Sequence, residues 1–273
     1  MRTALIDGDL FLYQSATANE QSIQWDADTW TLSASFEAAR TNFDSFVDHI
    51  AKQLECDNIV IALSNYDNPW RKQVMPDYKR ARLEVRKPLC WKALREYIHE
   101  TRKVFERPSL EGDDVLGILG TSKLIIPGDK IIVSQDKDMA TIPGLHCNDR
   151  KAREGMAAKK GKTYLDFVRH ITVAEADRNH LFQTLTGDST DGYPGCPGVG
   201  PKKAAKLLDS LWGMADDGPF FPVDLVWPHV VNEYVKKGLN EETALMNARV
   251  ARICRYTDYD FTKKEVKLWT PTA

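Results

Sequence analysis

Three groups of carboxylates in this 273-residue chain have spacings suited to hard metal ions. The first, Glu111-Gly112-Asp113-Asp114, opens an apolar run (Val115, Leu116, Ile118, Leu119) that predicts a short helix with a buried face. Acids in the first turn of a helix are ordinary partners of its macrodipole, so this group alone says little. The second, Asp136 and Asp138, follows Lys130 to Ser134, which reads as a buried strand. Open α/β sheets bind their ligands just beyond the C-terminal ends of strands. The third, Asp188 and Asp191, follows an expected helix from Val173 to Thr186. Asp7, in Asp7-Gly8-Asp9 after the apolar stretch Thr3 to Ile6, is one more strand-end acid.

Together Asp7, Glu111, Asp113, Asp114, Asp136, Asp138, Asp188 and Asp191 form a candidate metal-ligand set. In one pocket they would repel by roughly 4 kcal/mol per close pair at an effective dielectric near 20, so they must bind cations or keep protons. Oxygen ligands select hard ions, Mg²⁺ with Mn²⁺ as substitute, and two such ions stabilise the attacking and leaving oxygens of a phosphodiester. No protein nucleophile is then needed.

The rest of the charge fits a phosphate-bearing partner. The net charge is −2, but with those eight acids set aside, 31 acids face 37 lysines and arginines, leaving +6. Between Arg71 and Lys103 eleven basic residues outnumber four acids, and residues 150 to 162 are basic too. Within Tyr78-Lys79-Arg80-Ala81-Arg82, a helix would aim Lys79 and Arg82 together as catalytic clamps on the scissile phosphate, with Tyr78 free to stack on a base or sugar and Arg71 nearby as a DNA contact. After Asp191 the chain reads Gly192-Tyr193-Pro194-Gly195-Cys196-Pro197-Gly198-Val199-Gly200-Pro201-Lys202-Lys203. Gly195, Gly198 and Gly200 allow backbone amides to approach phosphates, and Lys202 and Lys203 stand beside the positive end of the helix that follows.

These residues need a scaffold. Thr3 to Ile6, Ile59 to Leu63, Lys130 to Ser134 and Gly144 to Cys147 read as strands, and Phe36 to Leu54 as an amphipathic helix between the first two. That makes a β-α-β unit with parallel strands, hence an α/β fold with a central, mostly parallel sheet flanked by helices. Residues 22 to 33 suggest a hairpin, Pro88 to Thr101 a helix, and Lys151 to Lys162 a basic loop. The stretch Asn65 to Lys87, punctuated by Pro69 and Pro76, is an excursion from the sheet whose like charges predict mobility in the absence of DNA. Beyond Ser210 no motif is visible, and Trp212, Phe220, Phe221, Trp227 and Tyr234 read as packing for a helical region. His146 and His170 are lone and read as structural. Five cysteines without a C-x-x-C pair support neither a disulfide framework nor a zinc module. Reduced thiols, no signal-like segment and no membrane span predict a cytoplasmic protein, in the host cytoplasm if phage-encoded.

Asp7-Gly8, Glu111-x-Asp113-Asp114, Asp136-x-Asp138, Gly187-Asp188-x-x-Asp191 and Pro197-Gly198-Val199-Gly200-Pro201-Lys202, in that order, resemble the 5′-nuclease (flap endonuclease) superfamily, and within it the 5′→3′ exonuclease of short-tailed phages. The resemblance covers roughly residues 1 to 210. It implies a nuclease core over 1–172 with a helical arch at about 65–103, a helix-three-turn-helix that grips duplex DNA over 173–210, and a C-terminal helical region, 211–273, packed on the core. It further implies two divalent metals, a potassium ion held by carbonyls of the helix-three-turn-helix loop, and 5′→3′ hydrolysis of DNA in replication. The partner would be duplex DNA with a free 5′ end, nick, gap or flap, or an RNA–DNA hybrid, met by a monomer. Tyr78-Lys79-x-x-Arg82 resembles the arch motif. The chain departs from the pattern where Ala62-Leu63-Ser64 stands in place of an aspartate after the second strand, with Asp67 three residues late. Gly192 replaces a usual asparagine, and Asp9 suits a supporting position as well as ligation.

Two other classes compete. A PIN-like single-strand ribonuclease shares the sheet and acids but has no need of the Gly198-Val199-Gly200 turn. A catalytically inactive DNA-binding protein would keep the turn and lose acids, yet the acidic set is complete.

Overall fold

The computed structural model describes residues 1–215 and 218–271. β1 (Arg2–Asp7) has Ala4, Leu5 and Ile6 fully buried, as suits a strand covered on both faces, and leads directly into α1 (Gly8–Thr17). A hairpin of β2 (Glu20–Gln24) and β3 (Trp30–Ala34) follows, and α2 (Phe36–Gln53), capped by Ser35, returns the chain to β4 (Asn58–Ala62). The excursion then runs through α3 (Trp70–Val74), a 3-10 turn at Arg80–Glu84 and α4 (Trp91–Thr101) to the short β5 (Val104–Phe105). Next come α5 (Gly112–Thr121), β6 (Asp129–Val133), β7 (Gly144–Cys147), α6 (Asp149–Ala158) and β8 (Val168–Ile171). The C-terminal third holds α7 (Val173–Thr186), α8 (Pro201–Asp209), a pair β9 (Gly213–Ala215) and β10 (Gly218–Phe220), α9 (Val223–Val235), α10 (Glu241–Ala251), and a pair β11 (Tyr259–Asp260) and β12 (Glu265–Val266).

The six-stranded sheet has the order β5-β4-β1-β6-β7-β8, parallel except for β8. From β1 the chain builds outward first toward β4 and later toward β6, so the strand order reverses between β1 and β6. A crevice opens at such a reversal, and the acids of β1 and β6 stand at its mouth. α1, α2, α4 and α6 pack on one face around Phe11, Phe43, Ile50, Leu94 and Ala152. α5, with Trp70 of α3 and the segment Ile253 to Tyr259, covers the other.

Several sequence expectations need correction. α1 was not anticipated: Gly8 lets it start hard against the sheet, where a Cβ would lie 2.5 Å from the Ala62 carbonyl oxygen. The basic loop expected at Lys151 to Lys162 is helical as far as Ala158, because the Asn148 side chain caps Lys151 N and Ala152 and Met156, four apart, pack on the core. The helix expected from Pro88 starts at Trp91, after a turn closed by Trp91 N to the Pro88 carbonyl. Segments 173–210 and 211–273 pack on each other: Leu181 and Leu185 of α7 and Ala204 and Leu208 of α8 lie against Val230, Tyr234, Ala244 and Ala248 of α9 and α10. Residues 216–217 and 272–273 of the expected C-terminal region lie outside the described residues.

Candidate active site

Three structural ends meet at the crevice. Asp7 ends β1, where its Oδ1 accepts from Leu10 N (3.1 Å) and so caps α1, while its Oδ2 accepts from Ser134 Oγ (2.6 Å). Ser134 Oγ also accepts from Asp136 N (3.1 Å), which ties the loop after β6 to β1. Asp136 Oδ1 accepts from Asp138 N (2.8 Å), and Asp138 Oδ1 accepts from Gln183 Nε2 of α7 (2.6 Å). Glu111 caps α5, whose first amide, Gly112 N, donates to Ser64 Oγ (2.8 Å). Thr190 N and Asp191 N donate to Asp188 Oδ1 at 2.8 and 3.3 Å, folding the Asp188–Asp191 turn.

Cations divide the acids into two sets. Glu111 Oε1 meets Lys79 Nζ at 2.6 Å, Asp191 meets Arg82 Nη2 at 2.6 Å and Lys79 Nζ at 3.6 Å, and Asp188 meets Lys137 Nζ at 3.0 Å. Lys79 and Arg71 outweigh burial and hold Glu111 below the usual carboxylate range; Lys137 does the same for Asp188. Among the described residues Asp7, Asp113, Asp136 and Asp138 have no lysine or arginine within ion-pair distance. Burial, with repulsion from Asp9 and Asp136, pushes Asp7 up to about 6. Burial and Asp136 push Asp138 up to about 7, and burial with Asp7 and Glu111 holds Asp113 well above its ordinary value. Lys79 and Lys137 offset the repulsion at Asp113 and Asp138 only in part.

Other candidates lie elsewhere than the sequence suggests. Asp114 is fully buried on the far side of α5: its oxygens accept from Arg71 Nη1 (2.7 Å) and Nη2 (2.8 Å), Trp70 Nε1 (3.0 Å), Cys254 N (3.0 Å) and Glu111 N (3.2 Å). No lone pair faces the crevice, so Asp114 is corrected from metal ligand to buried anchor. Arg71, expected on DNA, is 2% exposed and also donates to Glu111 Oε2 (2.7 Å) and to the Val250 and Arg252 carbonyls. Tyr78, expected to stack, is 3% exposed, with its hydroxyl 3.0 Å from both Glu111 Oε2 and Asp191 Oδ2. The helix expected through Tyr78 to Arg82 is broken at Lys79, whose backbone is left-handed (φ 53°) and donates to the Asp191 carbonyl at 2.8 Å. Lys79 and Arg82 still converge on the acids, and these contacts fasten a stretch whose composition predicted mobility.

In the glycine-rich turn, Gly195 is buried at φ 64°, where a Cβ would come 2.3 Å from Gly187 N; it packs the turn and is corrected from DNA contact. Gly198 (φ 72°) and Gly200, the N-cap of α8, are exposed, as are Lys202 and Lys203, although Lys203 Nζ also pairs with Glu233 (2.5 Å). Sequence reasoning passed over Ser134, Gln183 and Lys137. Ser134 alone carried a signal, a hydroxyl two residues before an acid, which forms a side-chain turn. Asp9 is a supporting group: its Oδ2 accepts from Ser64 N (2.8 Å) and its Oδ1 lies 3.7 Å from Arg95 Nη1. Asp67 is exposed.

Among the described residues no three acids, histidines or cysteines are already arranged around one metal position. The donor set nonetheless fits a hard cation, being made of carboxylate oxygens with excess negative charge.

An acidic crevice thus lies at the strand reversal of a mostly parallel α/β sheet, with basic side chains reaching in. Residues 2–160 match the family model described as 5′-3′ exonuclease, N-terminal resolvase-like domain, and the chain belongs to that family. It is 28% identical to the exodeoxyribonuclease of Enterobacteria phage T3 over 303 residues, covering 98% of this chain and 93% of that protein. To the flap endonuclease Xni of Shewanella oneidensis it is 32% identical over 150 residues, covering 54% of this chain and 55% of the relative. A solved bacteriophage T5 flap endonuclease, in complex with DNA and metal ions, shares the fold with a TM-score of 0.60 and 13% identity over 92% of this chain and 89% of that one. Another T5 5′-exonuclease structure holds zinc ions, with a TM-score of 0.58, 14% identity and the same coverage. Among the described residues no helix is long and apolar enough to cross a membrane.

Proposed function

We propose that the protein is a metal-dependent 5′→3′ exonuclease and structure-specific 5′ nuclease that acts in DNA replication on duplex DNA with a free 5′ end, nick, gap or flap, including RNA primers. The observation carrying this reading is the set Asp7, Asp113, Asp136 and Asp138, gathered at the strand reversal without cation partners while Lys79 and Arg82 reach the same crevice. Asp7, Glu111, Asp113, Asp136, Asp138, Asp188 and Asp191 would hold two Mg²⁺ ions, with Mn²⁺ as substitute. Bound there, the ions supply a water of lowered pKa and charge for the leaving oxygen.

The chain's own residues do the rest. Ser134 and Gln183 orient Asp7 and Asp138 by direct hydrogen bonds. The Tyr78 hydroxyl, 3.0 Å from both Glu111 Oε2 and Asp191 Oδ2, donates its one proton to one or the other. Lys79 and Arg82, held at the crevice by carboxylates, exchange these partners for the scissile phosphate and stabilise its developing charge. The α8 turn, with Gly198, Gly200, Lys202 and Lys203, grips duplex phosphates, and its carbonyls are candidates for a potassium ion. The units of this reading are a nuclease core at 1–172 with its arch at about 65–103, a duplex-binding part at 173–210 and a C-terminal helical region at 211–273.

The test incubates the protein with a 5′-labelled duplex, a labelled flap and a single-stranded RNA, each with Mg²⁺ or EDTA. Release of short 5′ products from both DNA substrates, abolished by EDTA, is expected. Preferential cutting of the RNA would favour a PIN-like ribonuclease, and DNA binding without cleavage an inactive binding protein.

A further inference from the structure

The turn from Asp188 to Asp191 is held by cations from two sides. Lys79 and Arg82 of the arch take Asp191, while Lys137, which opens the 3-10 turn Lys137–Thr141 after β6, takes Asp188 with its Nζ 3.0 Å from Oδ2. This is the one ion pair of either residue among the described residues. The two partners differ in exposure: the Asp188 side chain is 10% exposed and that of Lys137 is 79% exposed. Asp188 Oδ1 already accepts from the amides of Thr190 and Asp191, so Oδ2 is the oxygen left for a cation, and Lys137 is on it. A pair with one partner so open to water contributes little to stability and exchanges readily.

If Asp188 belongs to the metal set, that exchange is obligatory. Lys137 cannot keep its place on Oδ2 beside a divalent ion, because two cations on one carboxylate oxygen repel. Its four-carbon stem is flexible and its ammonium keeps three donors for another acceptor. The chain fixes what lies alongside. Asp188 leads within seven residues to Gly195 of the glycine-rich turn, and the two turns stand back to back: Asp188 N donates to the Tyr193 carbonyl (2.9 Å), and a Cβ on Gly195 would come 2.3 Å from Gly187 N. Lys137 is therefore at the junction of the crevice and the α8 turn, on the course of a duplex held by both.

We propose that Lys137 is a phosphate contact released by metal binding. Without a divalent ion it neutralises Asp188; with one bound there it moves to a backbone phosphate of the duplex between the crevice and the α8 turn. Affinities for metal and duplex are coupled through this one side chain, and the coupling is reciprocal: the factor that the ions add to duplex affinity, the duplex adds to theirs. The inference rests on the nuclease reading for its two ligands. It separates Lys137 from Lys202 and Lys203, whose contacts with phosphates need no metal.

The test compares the wild type, Lys137→Gln and Lys137→Arg, with melting in EDTA as the check of fold. Ca²⁺, an oxygen-seeking ion like Mg²⁺, is titrated by calorimetry in the absence of DNA. A fluorescein-labelled nicked duplex is then bound across a KCl series in EDTA and in Ca²⁺, and a gel verifies that the strand stays intact. Lys137→Gln should bind Ca²⁺ about two- to fivefold more tightly, since the competing ammonium is gone. In Ca²⁺ its log–log salt slope for the duplex should be flatter than the wild-type slope by about 0.9, the value for one phosphate, and in EDTA the difference should be less than half of that. Lys137→Arg should recover the wild-type slope in Ca²⁺. A slope lowered equally in EDTA and Ca²⁺, a slope unchanged in both, unchanged or weaker Ca²⁺ affinity in Lys137→Gln, or no Ca²⁺ binding by the wild type each overturns the proposal. If the wild type binds Ca²⁺ and duplex yet cuts no DNA in Mg²⁺, the nuclease reading falls, and the slopes still decide the role of Lys137.

Discussion

Asp113 and Asp114 are neighbours with opposite roles. Consecutive helix residues point about 100° apart, so one faces the crevice and the other turns into the protein. Asp114 lies four residues before Ile118 and so shares its buried face; that spacing was visible in the sequence, but the motif's resemblance to a metal site masked it. Arg71 could not be placed from sequence, because its partners Asp114, Val250 and Arg252 come together only in the folded chain. The two aspartates should separate on substitution. Asp114→Asn takes away the bidentate partner of buried Arg71, leaving Glu111 as its one carboxylate contact among the described residues, and should cost up to about 3 to 5 kcal/mol of stability, read by urea denaturation. Asp113→Asn should keep or raise stability, since it removes a charge that burial disfavours, while cleavage in Mg²⁺ falls about 100-fold or more, equivalent to about 2.7 kcal/mol. A stable Asp114→Asn protein with no activity would return that residue to the metal set.

At the scale of elements, β1, β4 and β6 were legible because they are continuous apolar runs, β5 was not because it is only two residues long, and α7 and β7 fall where their patterns end. β8 and α6 were not legible: β8 alternates weakly, and the apolar side of α6 is only Ala152 and Met156 amid basic residues. The arch was legible in composition and not in conformation, since what shapes it is distant in sequence, with Lys79 and Arg82 drawn to Glu111 and Asp191. If the arch admits a strand end and then delivers these cations to the phosphate, Lys79→Ala and Arg82→Ala should each slow single-turnover cleavage by about 2.7 to 4 kcal/mol with little loss of affinity. A 5′ flap closed by a bulky adduct should be cut far more slowly than an open one. Equal rates on both substrates would rule out gating by the arch. For α8, Lys202→Ala combined with Lys203→Ala should weaken duplex binding and reduce the log–log salt slope by up to about 2, with turnover at saturation preserved. Glu233, which pairs with Lys203, makes the lower part of that range the expectation.

Across the whole molecule, charge is held in an imbalance that pH and divalent ions should expose. Asp7 and Asp138, at about 6 and 7, take up protons more readily in the folded chain than in the unfolded one, where an aspartate titrates near 3.9. Between about pH 4 and 7 the folded state therefore binds more protons, and stability from these groups falls as pH rises. The penalty is complete above pH 7. His146, pushed down to about 4 by burial, and His180, driven well below its ordinary range by burial and Arg252, act in the opposite sense, since the unfolded chain takes up their protons first as pH falls. Glu111, Asp114 and Asp188 are depressed, so their contribution is lost only below the unfolded carboxylate range. The pH slope of stability in EDTA mixes these contributions, but the increment given by Mg²⁺ does not, because the histidines lie outside the crevice and cancel in the difference. A divalent ion must displace the extra protons at pH 5 and meets bare carboxylates at pH 8. Melting in EDTA and in Mg²⁺ should thus differ by several degrees at pH 8, at about 2 to 4 °C per kcal/mol for chains of 150 to 250 residues, and by about a degree or less at pH 5. Asp138→Asn should raise the EDTA melting temperature at pH 8 and shrink the Mg²⁺ increment. An increment of equal size at both pH values, or one unchanged in Asp138→Asn, would mean that the ions bind elsewhere on the protein.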